Sequence, residues 1–187
     1  MAIILASGSP RRRELMGFIT EDFTVMASDA EEKTDFSRQP DEIVVSLARQ
    51  KCEAVLPLCD KNDTVISADT VVFIDGELLG KPKNAETAKE MLSRLSGRTH
   101  TVFTGVCIST PHGGSVFAER TDVTFNELSS EDIEEYIATG EPFDKAGAYG
   151  IQGKGALLVK GINGDFYNVM GFPVARVFRE LKKYGSI

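Results

Sequence analysis

In Ile3-Ile4-Leu5-Ala6-Ser7-Gly8-Ser9-Pro10-Arg11-Arg12-Arg13-Glu14-Leu15, an apolar run passes through a loop of small residues into a proline. The pattern predicts a strand over about 2–6 and a helix over about 10–18, because Pro10 has a fixed φ and no N–H to lose. Two serines, a glycine and three arginines then gather at a helix N-terminus, where outward N–H groups carry partial positive charge. Arginine adds fixed, bidentate donors for phosphate. The stretch reads as a phosphate cradle built from Ser7, Ser9, Arg11 and Arg12; the plainer alternative is a helix capped by Ser9 with a solvated arginine face.

The rest of the chain extends this opening into a larger pattern. Residues 23–27 read as a short strand, and 28–40 are polar, acidic and irregular up to Pro40. Periodicity through Ile43, Val44, Leu47, Ala48 and Val55 predicts a helix over 41–56. Residues 64–74 form a long apolar strand, Asp75-Gly76 a two-residue hairpin turn, and 77–79 the returning strand. Asn84 caps an amphipathic helix over 84–95. Long strands over 99–109 and 115–127 are joined by His112-Gly113-Gly114. Ser129 or Ser130 caps a helix over 131–139, a glycine-rich loop over 146–155 leads to a strand over 156–160, and a last helix covers about 168–184. Early alternation of helix and strand followed by a long hairpin predicts an α/β fold with a mixed sheet flanked by helices.

The 187 residues fit a single domain, 1–187, and at 42% apolar and 26% charged they are expected to fold. A net charge of −7 makes the chain a poor binder of a nucleic-acid polymer, so a phosphorylated ligand is expected to be small. Its cations must then be concentrated, or a divalent metal must help. Cys52, Cys59 and Cys107 lack zinc-like spacing, and Cys52 and Cys107 fall on core-facing patterns. The odd count and the lack of a secretory signal point to a reducing cytoplasm. His100 and His112 are the two histidines, which leaves oxygen ligands for any metal. No apolar run approaches transmembrane length, so no membrane association is expected.

Asp69 interrupts Val65-Ile66-Ser67-Ala68-Asp69-Thr70-Val71-Val72-Phe73-Ile74. A carboxylate inside a near-continuous apolar strand is costly unless it is paired or metal-bound, or else it faces outward. Glu31 and Glu32 sit in an acidic segment; with Asp69 they could complete an oxygen site for Mg²⁺, which needs one or two carboxylates plus phosphate and water. Lys51 and Lys81, taken singly, read as surface lysines, although Gly80 and Pro82 fix the backbone around Lys81. Ser96-Gly97-Arg98-Thr99-His100 reads as a turn entering a strand, or as a ligand contact. In the loop with Gly147, Gly150 and Gly153, Gln152 offers an amide that matches uracil or thymine, and when flipped also cytosine.

These motifs, in this order, resemble the Maf family, the septum-formation-inhibitor-like nucleoside triphosphate pyrophosphatases. The likeness spans essentially the whole chain: Ala6-Ser7-Gly8-Ser9-Pro10-Arg11-Arg12, Leu47-Ala48-Arg49-Gln50-Lys51, Ser67-Ala68-Asp69-Thr70-Val71-Val72, Gly80-Lys81-Pro82 and the run 144–153. It implies a two-lobed fold around a cleft, a divalent cation (Mg²⁺ or Mn²⁺), and hydrolysis of a nucleoside triphosphate to the monophosphate and pyrophosphate. It implies Asp69 as proton acceptor, Glu32 and Asp69 as metal ligands, and Lys51 and Lys81 as catalytic cations. Arg11, Thr70 and Gln152 match positions associated with substrate choice, in the form of the dTTP/UTP branch. A homodimer follows from family analogy alone. Two other classes remain open at this level: a nucleotidyltransferase, which needs a second substrate, and a nucleotide-binding regulator of cell division. Removal of noncanonical nucleotides would share the chemistry and differ in substrate.

Overall fold

The computed structural model describes residues 2–27 and 32–187; Glu31 and residues 28–30 of the acidic segment lie outside the described residues. The opening folds as its residue types require. β1 (Ile3–Leu5) is wholly buried and runs parallel to both β2 (Thr24–Val25) and β3 (Thr64–Ile74). A strand paired on both sides in parallel is covered on both faces, which is why all three of its residues are apolar. In α1 (Pro10–Gly17) Pro10 occupies the first turn and Ser9 is the N-cap, its Oγ accepting from Arg12 N at 3.5 Å.

The chain forms two compact units. The first takes the chain up to Asp69, Thr104–Glu119 and Gly171–Ile187; the second takes Thr70–Phe103 and Arg120–Met170. Among the described residues, seven strands make one sheet in the order β2-β1-β3-β5-β6-β7, with β4 (Glu77–Leu79) paired antiparallel to β3. Here β5 is Thr99–Thr110, β6 Gly113–Phe125 and β7 Val159–Asn163. The mixed α/β class expected from the sequence is the class observed.

In the first unit, α2 (Pro40–Val55) buries the stripe Ile43, Val44, Leu47, Ala48, Cys52 and Val55. Its lower half packs with Ile4, Ala6, Val65 and Cys107, so Cys52 and Cys107 are core residues as their patterns suggested. Gly105 of β5 lets α2 come close: a Cβ there would lie 2.2 Å from the Val44 carbonyl oxygen. α6 (Val174–Lys183) buries Val177 and Leu181.

The second unit has its own core, in which Val72, Leu92, Leu95, Val102, Phe125, Ile133 and Tyr149 meet. Asp75 and Gly76 take φ of +54° and +81°, the left-handed pair that a two-residue hairpin requires. α3 (Ala85–Leu95) is capped by Asn84, whose Oδ1 accepts from Thr87 N at 2.8 Å. For α4 (Ser130–Ala138) the cap is Ser129, which exchanges bonds with Asp132 in both directions.

Several elements depart from expectation. The expected helix over 168–184 is two: α5 (Phe166–Val169) and α6, parted at Gly171-Phe172-Pro173. Pro173 cannot continue a helix and restricts the residue before it, and Gly171 takes φ +99°. The strand expected over 156–160 starts later, as β7, because Gly153–Leu157 forms a 3₁₀ turn. The strand expected over 23–27 shrinks to the two residues of β2, and the turn before β6 is made at Pro111-His112, with Gly113 already in the strand. Among the described residues, no helix is long and apolar enough to cross a membrane.

Candidate functional site

The sharp exit from β1 places Ser7 at 6% exposure with its hydroxyl turned to the start of α1. Ser7 Oγ accepts from Ser9 N at 3.3 Å and from Arg12 Nη1 at 3.5 Å. Arg12 Nε donates to the Gly171 carbonyl at 2.8 Å. The guanidinium is thus held on two sides within the first unit. Burial lowers its pKa from the ordinary arginine value, while the charges of Asp69 and Glu32 act the other way. Arg11, half-buried, is close enough for its charge to be felt by Arg12; Arg13 is exposed.

Asp69 of β3 has a cation partner. Lys51 Nζ bonds to Asp69 Oδ1 and lies 3.1 Å from Glu32 Oε1. The Asp69 and Lys51 side chains are 14% and 17% exposed, that of Glu32 40%. Lys51 is therefore no surface lysine. It stands four residues after Leu47 and four before Val55, on the face α2 turns to the core, and the carboxylates explain why a cation is tolerated there. Ser67, two residues before Asp69, donates from Oγ to the Ala48 carbonyl at 2.6 Å, three residues before Lys51. That buried bond ties β3 to α2 next to the ion pair and fixes its register.

Two nearby carboxylates, one of them partly exposed, form a hard-oxygen donor set of the size Mg²⁺ or Mn²⁺ takes when substrate and water complete the shell. Among the described residues, no group of three or more acidic, cysteine or histidine side chains converges as a self-sufficient metal cage.

The remaining candidates belong to the second unit. Thr70 is half-buried and follows Asp69 directly in β3. Lys81 is exposed on a segment held by buried Pro82 and by Gly147 N, which donates to the Gly80 carbonyl at 3.0 Å. Gln152 is exposed between buried Ile151 and Gly153, whose φ is +63°, and its side chain makes no capping bond to the following 3₁₀ turn. The Ser96–His100 motif is architectural: Arg98 pairs with Asp75 at 2.5 Å, Thr99 with Thr124 at 2.8 Å, and His100 is buried with Nε2 2.7 Å from Tyr149 Oη.

The residue that the sequence reading missed is Gly171, whose carbonyl holds Arg12. Its signal was present in Gly171-Phe172-Pro173, a glycine and proline inside an assumed helix. The bond itself spans 159 residues and had no local trace.

A family model described as Maf-like protein matches residues 2–184. A dTTP/UTP pyrophosphatase of Bacillus velezensis is 54% identical over 182 residues, covering 97% of this chain and 96% of its own. A dTTP/UTP pyrophosphatase of Bacillus cytotoxicus is 52% identical over 183 residues, 98% of this chain and 95% of its own. Among solved structures, the Staphylococcus aureus Ham1 protein aligns over 67% of this chain and 72% of its own, at 20% identity and a TM-score of 0.47. With a match that runs almost from end to end and relatives identical at more than half of the aligned positions, this chain belongs to the Maf-like protein family.

Proposed function

We propose that this protein is a nucleoside triphosphate pyrophosphatase that hydrolyses dTTP and UTP to the monophosphate and pyrophosphate. The observation that carries the reading is the convergence of Asp69, Glu32 and Lys51 in the unit that holds Ser7, Ser9 and Arg12 at the N-terminus of α1. Relatives named for that activity support it.

In this reading Ser7, Ser9, Arg11 and Arg12 bind phosphate oxygens through hydroxyls, guanidinium groups and the helix N-terminus. Arg12 acts as a fixed donor, since Gly171 and Ser7 already hold it. Asp69 accepts the proton of a water whose oxygen bonds to the α-phosphorus, while the bond from that phosphorus to the bridging oxygen breaks and pyrophosphate leaves. Lys51 keeps Asp69 and Glu32 in place, and Lys51 and Lys81 offset charge gathering on the leaving group. A divalent cation, held by Asp69 and Glu32, would neutralise phosphate oxygens and orient the water. Thr70 and Gln152 select the base, Gln152 through its amide. The protein acts on a free nucleotide as a cytoplasmic homodimer.

The test is pyrophosphate release from a panel of nucleoside triphosphates with Mg²⁺ or Mn²⁺. Release from dTTP and UTP, lost in a folded Asp69→Asn protein, is the expected result. Tight nucleotide binding without release overturns the hydrolase reading, and full activity in Asp69→Asn overturns the role of that carboxylate.

A further inference from the structure

Gln152 stands in a segment held at both flanks, on one of them by a carboxylate that none of the chemistry above uses. Glu141, at the start of a 3₁₀ turn over Glu141–Asp144, accepts from Lys154 N at 3.0 Å through Oε1 and from Gly155 N at 3.3 Å through Oε2. It thereby satisfies N–H groups of the 3₁₀ turn that begins just after Gln152. On the other flank, Gly150 N donates to Tyr136 Oη at 3.1 Å. Burial first, and the charge of Glu141 further, hold the Tyr136 pKa up at about 12. Glu141 therefore holds residues 154 and 155, and Tyr136 holds residue 150.

The glycines of the segment are cut to fit this clamp. A Cβ on Gly153 would lie 2.7 Å from Glu141 Oε1, and one on Gly155 would lie 2.0 Å from the Gly150 carbonyl oxygen. The Gln152 side chain is exposed and is not itself bonded to Glu141. Its direction is thus set by the backbone on either side. A base-reading amide discriminates only when its donor and acceptor are fixed in advance, because a freely turning amide matches cytosine as well as uracil.

We propose that Glu141 is a positioning residue for base selection: by anchoring the backbone just after Gln152, it fixes which way that amide faces. The inference rests on the reading of Gln152 as the base-selecting residue.

The experiment measures kcat and KM for UTP and CTP in the wild type, Gln152→Ala, Glu141→Ala and the double variant, each checked for folding by its thermal transition. In Glu141→Ala, KM for UTP rises about 10-fold, as expected for lost charge-assisted hydrogen bonds, with kcat held within about 2-fold. The UTP:CTP ratio of kcat/KM falls toward that of Gln152→Ala, and the double variant loses no further selectivity, since both changes disable one device. Should Glu141→Ala not fold, Glu141→Gln serves instead. It keeps the size and one acceptor oxygen but sets an NH₂ against the second N–H, with a drop in the ratio of about 3-fold expected. A ratio that collapses in Gln152→Ala yet stays at the wild-type value in the folded Glu141 variant overturns the inference alone. A ratio unchanged in Gln152→Ala overturns the reading of Gln152, and this inference with it.

Discussion

Gly105→Ala is a small change whose consequences can be worked from the structure. The added Cβ would sit 2.2 Å from Val44 O, 2.3 Å from Val44 C and 2.6 Å from Val45 N. All three are backbone atoms of α2, so no rotamer change relieves the clash, and the helix has to retreat from β5 by about 1 Å to regain ordinary contact. Overpacking of this kind costs about 1–3 kcal/mol. At about 2–4 °C per kcal/mol for a chain of this size, Tm falls by roughly 2–12 °C. The retreat also carries Ala48 and Lys51 away from Ser67 and Asp69, stretching a 2.6 Å hydrogen bond and the ion pair beside it. Misplacement by about 1 Å at a reacting group costs on the order of 10²-fold in rate. The assay pairs thermal unfolding with pyrophosphate release from UTP, well below the lower Tm. Gly161→Ala is the control, because a Cβ at that exposed β7 position meets nothing within 4 Å. A Gly105→Ala protein that melts within about 1 °C of the wild type and keeps its full rate would refute the argument that this glycine sets the approach of α2.

Further outcomes follow from the same geometry. Lys51→Met leaves Asp69 and Glu32 without their shared cation, and kcat/KM for UTP is expected to fall by about 10²-fold or more; a loss under about 3-fold in a folded protein sinks the assigned role. Arg12→Lys cannot reach both Ser7 Oγ and the Gly171 carbonyl, so KM rises about 10-fold; an unchanged KM shows that fixing the guanidinium is immaterial. Burial pulls the pKa of His100 down to about 4. The unfolded chain then takes up a proton below about pH 6.5 that the folded chain refuses until about pH 4, so this term destabilises the fold progressively as pH falls through that window. At pH 5 it amounts to about 2 kcal/mol. Urea unfolding at pH 7 and pH 5 should lose that much more stability in the wild type than in His100→Gln; equal losses contradict the assignment.

Much of the local structure could be read directly. Ser9 and Pro10 announced the start of α1, Asp75-Gly76 the hairpin, and Asn84 the start of α3, because each effect acts through neighbours in the chain. The apolar strand around Asp69 also demanded that this carboxylate find a partner or face outward. The boundaries near residues 156–184 failed where short 3₁₀ turns and a glycine–proline break replaced regular elements, and there tertiary bonds outweigh periodicity.

Sequence alone thus determined the α/β class and the strand–loop–helix opening, and it singled out the residues proposed for phosphate chemistry. The partners were decided only by the tertiary structure. Lys51 meets Asp69 across 18 residues, and Arg12 meets Gly171 across 159. Glu141 reaches Lys154 and Gly155 from the far side of a loop. Periodicity encodes which face of an element turns inward. What stands opposite that face depends on strand register and on how closely a helix can approach, here set by Ser67 and by the missing side chain of Gly105.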